Sequence, residues 1–136
     1  MKKTERLALD TGSFTLHFGG DPQVRDMMND ILGGRKEAHT CELNLAEHYY
    51  KTCEKLGRDV AIVTTGSIRE IPVRIHSPDK VFSLEAGTIK CKFRGKVSLA
   101  DAYILAVAKI YDCRLITTDP ALKEINLVPT TLLIVR

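Results

Sequence analysis

Apolar residues in this chain fall into short solid runs and into longer stretches at helical spacing, separated by glycine, proline and small polar residues. Leu7-Ala8-Leu9 is the first solid run; it stops at Asp10 and Thr11-Gly12-Ser13, predicting a buried strand with an acid at its C-terminal end. Thr11 or Ser13 is placed to cap a short helix through Phe18, which Gly19-Gly20 breaks. Asp21-Pro22 then predicts a second helix, with Val24, Met27, Met28, Ile31 and Leu32 as its apolar face and Gly33-Gly34 as its stop. A weaker strand over residues 37–43 leads to Asn44-x-x-Glu47, a cap with an acid three residues on, opening a helix to about Leu56 before Gly57. On this pattern His48 is a surface residue, and Tyr49 and Tyr50 pack.

Residues 59–70, β-branched over 62–65 with Gly66 inside, fit either a helix or a strand and are read as a helix; 73–76 form a short strand, and Pro78 opens a helix to about Lys90. Residues 98–109, SLADAYILAVAK, are apolar on nearly every side, the signature of a buried helix. Ser98 is its N-cap and Asp101 the acid of a capping box. Residues 114–117 predict another buried strand, ending at Thr118 and Asp119; Pro120 starts a helical turn to Glu124, and 132–135 form a peripheral strand. Strands alternating with helices predict a mostly parallel central sheet between helical layers, a three-layer α/β/α fold.

Composition adds limits. With 136 residues, 44% hydrophobic and 27% charged, the chain reads as one globular domain over 1–136. No apolar run nears the roughly 18–20 residues of a membrane span, and the first ten residues lack a signal-peptide core, so a cytoplasmic location without membrane association is expected. Cys41, Cys53, Cys91 and Cys113 are scattered with no C-x-x-C, which disfavours zinc. A net charge of +3 permits an anionic partner. The basic run Lys90, Lys92, Arg94 and Lys96, read as a loop entering Ser98, offers candidate phosphate contacts.

Asp10 and Asp119 each end an apolar strand, while Asp101 and Glu47 are expected in first turns of helices. In a parallel α/β sheet, strand C-termini and helix N-termini share one edge, where ligands bind. Topology therefore gathers four carboxylates whose mutual repulsion a hard divalent cation, Mg²⁺ or Mn²⁺, would relieve. Such a site suits metal-assisted phosphodiester hydrolysis. No Ser-His-Asp set and no glycine-rich phosphate loop is evident. Glu42 is a competing acid, ranked below Glu47 because it precedes the expected cap.

LALDTGSF, NLAEHYYK, KVSLADAYILAVAK and LITTDPAL, in that order, resemble the PIN domain, most closely VapC-type ribonuclease toxins of prokaryotic toxin–antitoxin pairs. The resemblance spans essentially the whole chain. It implies a metal-dependent endoribonuclease, the toxin of a type II VapBC-like system, with Asp10, Glu47, Asp101 and Asp119 holding Mg²⁺ or Mn²⁺ and activating water. By the same match Thr117 and Thr11 would be site hydroxyls; the RNA contacts expected from the basic run are Lys92, Arg94 and Lys96. A homodimer and a small antitoxin partner are also implied. Gly12 stands where Ser, Asn or Ala is common, and Asn44 where Thr or Ser is usual. Leu122 occupies a position that is acidic in some members, which weakens the case for a second metal. Rival readings are an RNA-processing PIN nuclease and a catalytically silent PIN-like scaffold for RNA or protein. A phosphoacceptor receiver domain would need paired acids after its first strand and a late lysine, and neither is present.

Overall fold

The structure is a computed structural model that describes residues 4–135. Its centre is a parallel sheet of β1 (Glu5–Leu9), β2 (Lys36–Cys41), β3 (Val73–His76), β4 (Arg114–Thr117) and β5 (Thr130–Leu132), in the order β3-β2-β1-β4-β5. The flanking helices are α1 (Thr11–Phe18), α2 (Arg25–Leu32), α3 (Glu42–Leu56), α4 (Arg58–Glu70), α5 (Lys80–Lys92), α6 (Leu99–Ile110) and α7 (Pro120–Ile125). The three-layer α/β/α architecture is thus the one the alternating pattern predicts.

Each sheet face carries its own core. On one, Leu7, Leu9 and Ile116 pack against Phe14, Met28, Ile31 and Ile68; on the other, Ala8 and Leu115 pack against α5 and α6. Helix α6 buries Ile104, Leu105 and Val107 completely, with Ala102, Ala106 and Ala108 between them. Each of the three larger side chains contributes roughly 1.5–3 kcal/mol by leaving water. Only the helix ends emerge, Leu99 at 55% exposure and Ile110 at 41%. Long-range packing thereby fixes α6, and with it the position of its first turn.

The chain runs outward from β1 to β2 and β3, then returns past β1 to β4 and β5. The direction of winding therefore reverses between β1 and β4. In open parallel sheets the crevice outside the strand C-termini at such a reversal is the ligand-binding position. Asp10 follows β1 and Asp119 lies just beyond β4, so both stand at this reversal.

Several boundaries differ from the sequence pattern. The second helix opens with a separate 3₁₀ turn over Pro22–Val24, capped by Asp21. Helix α3 begins at Glu42, directly after β2 with Cys41 as N-cap, so Asn44 lies inside the helix and Glu47 in its second turn. Helix α5 is capped by Asp79 and reaches Lys92, which places Lys90 and Lys92 on its last turn and not in a loop. The final strand ends at Leu132, and beyond it both backbone groups of Ile134 are held by the Gln23 amide.

Candidate active site

Asp10 is both the N-cap of α1 and the most enclosed acid of the site, at 5% exposure. Its Oδ1 accepts from the Thr11 backbone N–H at 2.8 Å and the Asn44 side-chain amide at 3.3 Å; its Oδ2 accepts from the Thr117 hydroxyl at 2.6 Å. Asp10 itself, and neither Thr11 nor Ser13, thus caps α1. Thr11 is buried and turns its hydroxyl to the Asn44 carbonyl at 3.3 Å. Burial pushes the Asp10 carboxyl up to about 6; Thr117 and Thr11 oppose this, while Asp101 and Glu47 add to it. A carboxyl raised in this way by burial and neighbouring acids is a marker of functional sites.

Asp101 and Ser98 form the reciprocal capping box, at 3.1 Å in each direction. Burial lifts the Asp101 carboxyl above its usual range; the Ser98 bonds counter this, and Asp119 and Glu47 raise it further. Asp119 caps α7 by accepting from the Ala121 N–H at 2.9 Å, and its own N–H donates to Thr117 Oγ1 at 3.1 Å. Thr117 thus ties Asp10 to the backbone of Asp119. Glu47 comes from α3 and faces the Lys51 ammonium at 3.6 Å.

All four acids line one cleft of about 540 Å³ at the reversal between β1 and β4. Glu42 lies outside it, in a two-point ion pair with Arg69 at 2.7 and 3.0 Å. Among the described residues, no three carboxylate, imidazole or thiolate side chains stand placed to hold a metal ion. The donor set still fits a hard divalent cation in kind, being carboxylate oxygen throughout. Asp101 keeps Oδ1, and Asp119 keeps Oδ2, outside its helix cap.

The structure accounts for the glycine at position 12. A Cβ there would clash with the Thr118 hydroxyl and lie 2.9 Å from Thr118 Cβ, so glycine lets the α1 turn and the β4 end approach this closely. Asn44, buried under Asp10, holds that carboxylate and is not a helix cap. Its Oδ1 has no hydrogen-bond partner among the described residues. His48 is buried against α4, with Nε2 2.9 Å from Thr64 Oγ1, and is no surface residue. Its place three residues after the buried Leu45 was the missed signal, since i and i+3 share a helix face.

The basic run is dispersed. Lys90 donates to the Val97 carbonyl at 2.6 Å, Lys92 sits over the Phe93 ring, and Lys96 lines a separate hollow beside Ala121 and Glu124. Lys92, Arg94 and Lys96 do not line the acidic cleft; Tyr50, Lys51 and Lys55 of α3 do. No local pattern marks these lysines, and Tyr50, expected to pack, is 48% exposed.

A family model described as "PIN domain" matches residues 7–127. The chain belongs to the PIN-domain family. Its fold is similar to DNA-bound VapBC from Salmonella typhimurium, with a TM-score of 0.73 and 14% identity over 95% of this chain and 98% of that one. FitAcB from Neisseria gonorrhoeae matches with a TM-score of 0.67 and 21% identity, over 92% of this chain and 95% of that one. VapC20 of Mycobacterium tuberculosis, a sarcin-ricin loop cleaving toxin, matches with a TM-score of 0.62 and 19% identity, over 82% and 87% respectively. No curated protein matches the sequence. In this PIN domain no helix among the described residues is long and apolar enough to cross a membrane.

Proposed function

We propose that this PIN domain is a metal-dependent endoribonuclease acting as the toxin of a VapBC-like pair. The observation that carries the reading is the buried Asp10 at the sheet reversal, its carboxyl pushed up to about 6, with Asp101, Asp119 and Glu47 on the walls of the same cleft. Leaving such acids together without a counter-charge destabilises a fold, and a divalent cation is the counter-charge their oxygens suit. Asp10, Asp101, Asp119 and Glu47 would hold Mg²⁺ or Mn²⁺. Bound there, the ion would polarise a phosphoryl oxygen and ease deprotonation of water.

The chain's own residues do the rest. Thr117 and Asn44 fix the Asp10 carboxylate, and Ser98 fixes the start of α6. In-line attack of water on phosphorus would break the bond to the departing ribose oxygen; a carboxylate of the cleft would take the proton that the water loses, and the departing oxygen would take one from solvent water. Lys92, Arg94 and Lys96, off the cleft, would serve RNA only at a distance from the acids. The toxin reading draws support from the likeness to VapBC and FitAcB and brings with it a small antitoxin partner and a homodimer.

The test is cleavage of RNA in Mg²⁺ by the purified protein and by Asp101→Asn. The wild type cuts, Mg²⁺ removal stops it, and Asp101→Asn is folded but at least a hundredfold slower. Equal rates for the two proteins would remove Asp101 from the site. The caps that hold Asp101 and Asp119 favour one alternative, a silent RNA- or protein-binding scaffold. A folded wild type with no metal-dependent cleavage would establish that alternative.

A further inference from the structure

Beyond β5 the chain continues as a strap, residues 133–135, laid past the end of β4. The Leu133 N–H donates to the Thr117 carbonyl at 2.7 Å, and the Leu133 side chain is buried in the core. Burial does not hold the next two residues, since Ile134 is 61% and Val135 66% exposed. What holds them is one side-chain amide, 111 positions upstream. Gln23 Nε2 donates to the Ile134 carbonyl at 2.6 Å, and the Ile134 N–H donates to Gln23 Oε1 at 2.8 Å. This is the exchange of both backbone bonds that a residue on a neighbouring strand would offer. Asp21 Oδ1 in turn accepts from the Gln23 backbone N–H at 2.9 Å and from its Nε2 at 3.2 Å. With acceptors on both hydrogens of Nε2, the amide can present only its oxygen to the Ile134 N–H. The strap reaches the acidic cleft, which Val135 lines together with Thr118 and with Thr15 and Leu16 of α1.

From this chain of contacts we infer that Gln23, itself outside the cleft lining, is a positioning residue for the acids: it holds the strap, the strap holds Thr117, and Thr117 holds Asp10 and Asp119. The consequence for catalysis rests on the nuclease reading; the consequence for the shape of the cleft does not. Thr117 is the joint. Its hydroxyl gives its one proton to Asp10 Oδ2 at 2.6 Å and accepts from the Asp119 N–H at 3.1 Å. That hydroxyl serves both acids only while the Thr117 peptide keeps its place at the end of β4. The Leu133 N–H on the Thr117 carbonyl is a rung one residue past the end of β5. A strand end open to water frays unless the chain beyond it is tied down, and Gln23 is that tie. Release of the strap would let Thr117 and the turn to Asp119 drift, and a displacement of about 1 Å at a reacting centre costs roughly a hundredfold in rate. Such drift loosens the reacting geometry and leaves the grip on substrate elsewhere intact, so it lowers kcat and spares KM.

The test compares wild type, Gln23→Ala and Gln23→Met by NMR amide hydrogen exchange in chelator and by RNA cleavage in Mg²⁺. Methionine keeps the length of the side chain but cannot donate to the Ile134 carbonyl and accepts only weakly. Both variants exchange the Leu133, Ile134 and Asp119 amides about tenfold faster than wild type, while those of Leu105 and Val107 in α6 keep their rates. Cleavage falls about tenfold in kcat with KM within about twofold. Asp79→Ala, which removes the bond capping α5 outside the cleft, leaves kcat and the Leu133, Ile134 and Asp119 amides as in wild type. Wild-type exchange at Asp119 in Gln23→Ala, an equal acceleration throughout α6, a Gln23→Met indistinguishable from wild type, or a loss confined to KM would each overturn the inference. The nuclease reading fails separately: a wild type that cuts no RNA in Mg²⁺ removes the enzyme, while exchange at Asp119 still decides whether Gln23 holds the cleft.

Discussion

Asp10 carries a cost that a bound cation would remove, and the cost has a sign. Its folded carboxyl titrates near 6 against an ordinary 3.8, so between these values the folded chain binds a proton that the unfolded chain has released. Stability of the metal-free protein therefore falls as pH rises from 4 through 6 and levels off above, by about 3 kcal/mol at most. Asp10→Asn should melt above wild type at pH 7.5 in chelator, and the gap should close toward pH 4. A gap independent of pH would mean that Asp10 is not strained by its surroundings. Gly12 makes a second claim at this scale. Gly12→Ala should lose ~1–3 kcal/mol in chemical denaturation through overpacking against Thr118, and adding Thr118→Ala should recover part of it. Full stability in the single variant would show that the β4 end yields freely. Asp10 was legible in the sequence because it ends a solid apolar run; its partner Asn44 was not. The contact between them joins residues 34 positions apart, which no local pattern encodes.

Helix α6 was the most legible element, since its apolar periphery and Ser98-x-x-Asp101 start are local signals and the structure keeps both. Ser98→Ala should cost about 1 kcal/mol by removing the cap, and Ser98→Asn should restore most of it; thermal melts of the two variants check this. Equal melting of wild type and Ser98→Ala would show that tertiary packing alone holds the turn. Helix α3 was misjudged at its start because β2 passes into it with no loop. The Asn44-x-x-Glu47 pattern looks like a cap, yet docking against Asp10 and Thr11 draws Asn44 inside the helix. The edge pairing of β2 with β3 is also non-local. His39 Nδ1 meets His76 Nε2 at 2.8 Å, His39 Nε2 meets Glu37 at 2.8 Å, and both rings stack on Tyr111. Burial lowers the His76 pKa, with His39 and Arg74 adding to this and Asp79 opposing it. The His76 contribution to stability is therefore complete above pH 6.5 and declines as pH falls below it. His76→Gln should narrow its deficit to wild type, or overtake it, between pH 6.5 and 5 in thermal melts; a constant difference would contradict the assignment.

Across the whole molecule, strand order does what no single element can. The sequence shows four acids with local roles as caps and strand ends, and only the β3-β2-β1-β4-β5 order brings residues 10 and 119 to one crevice with 47 and 101 at its walls. Alternation of strands and helices made that order foreseeable as a class, and the PIN-domain match over residues 7–127 agrees with it. The cations beside the acids were hidden, because the basic run at 90–96 is conspicuous in sequence, while Lys51 and Lys55 become neighbours of the acids only through the packing of α3. The central claim is that these carboxylates form one cation site, and a crystal soaked in Mn²⁺ with anomalous diffraction measures it directly. The account predicts a peak inside the cleft, within bonding distance of Asp10 and of Asp101 or Asp119. A saturating soak that leaves the cleft without a peak, or places manganese only elsewhere on the molecule, would contradict it.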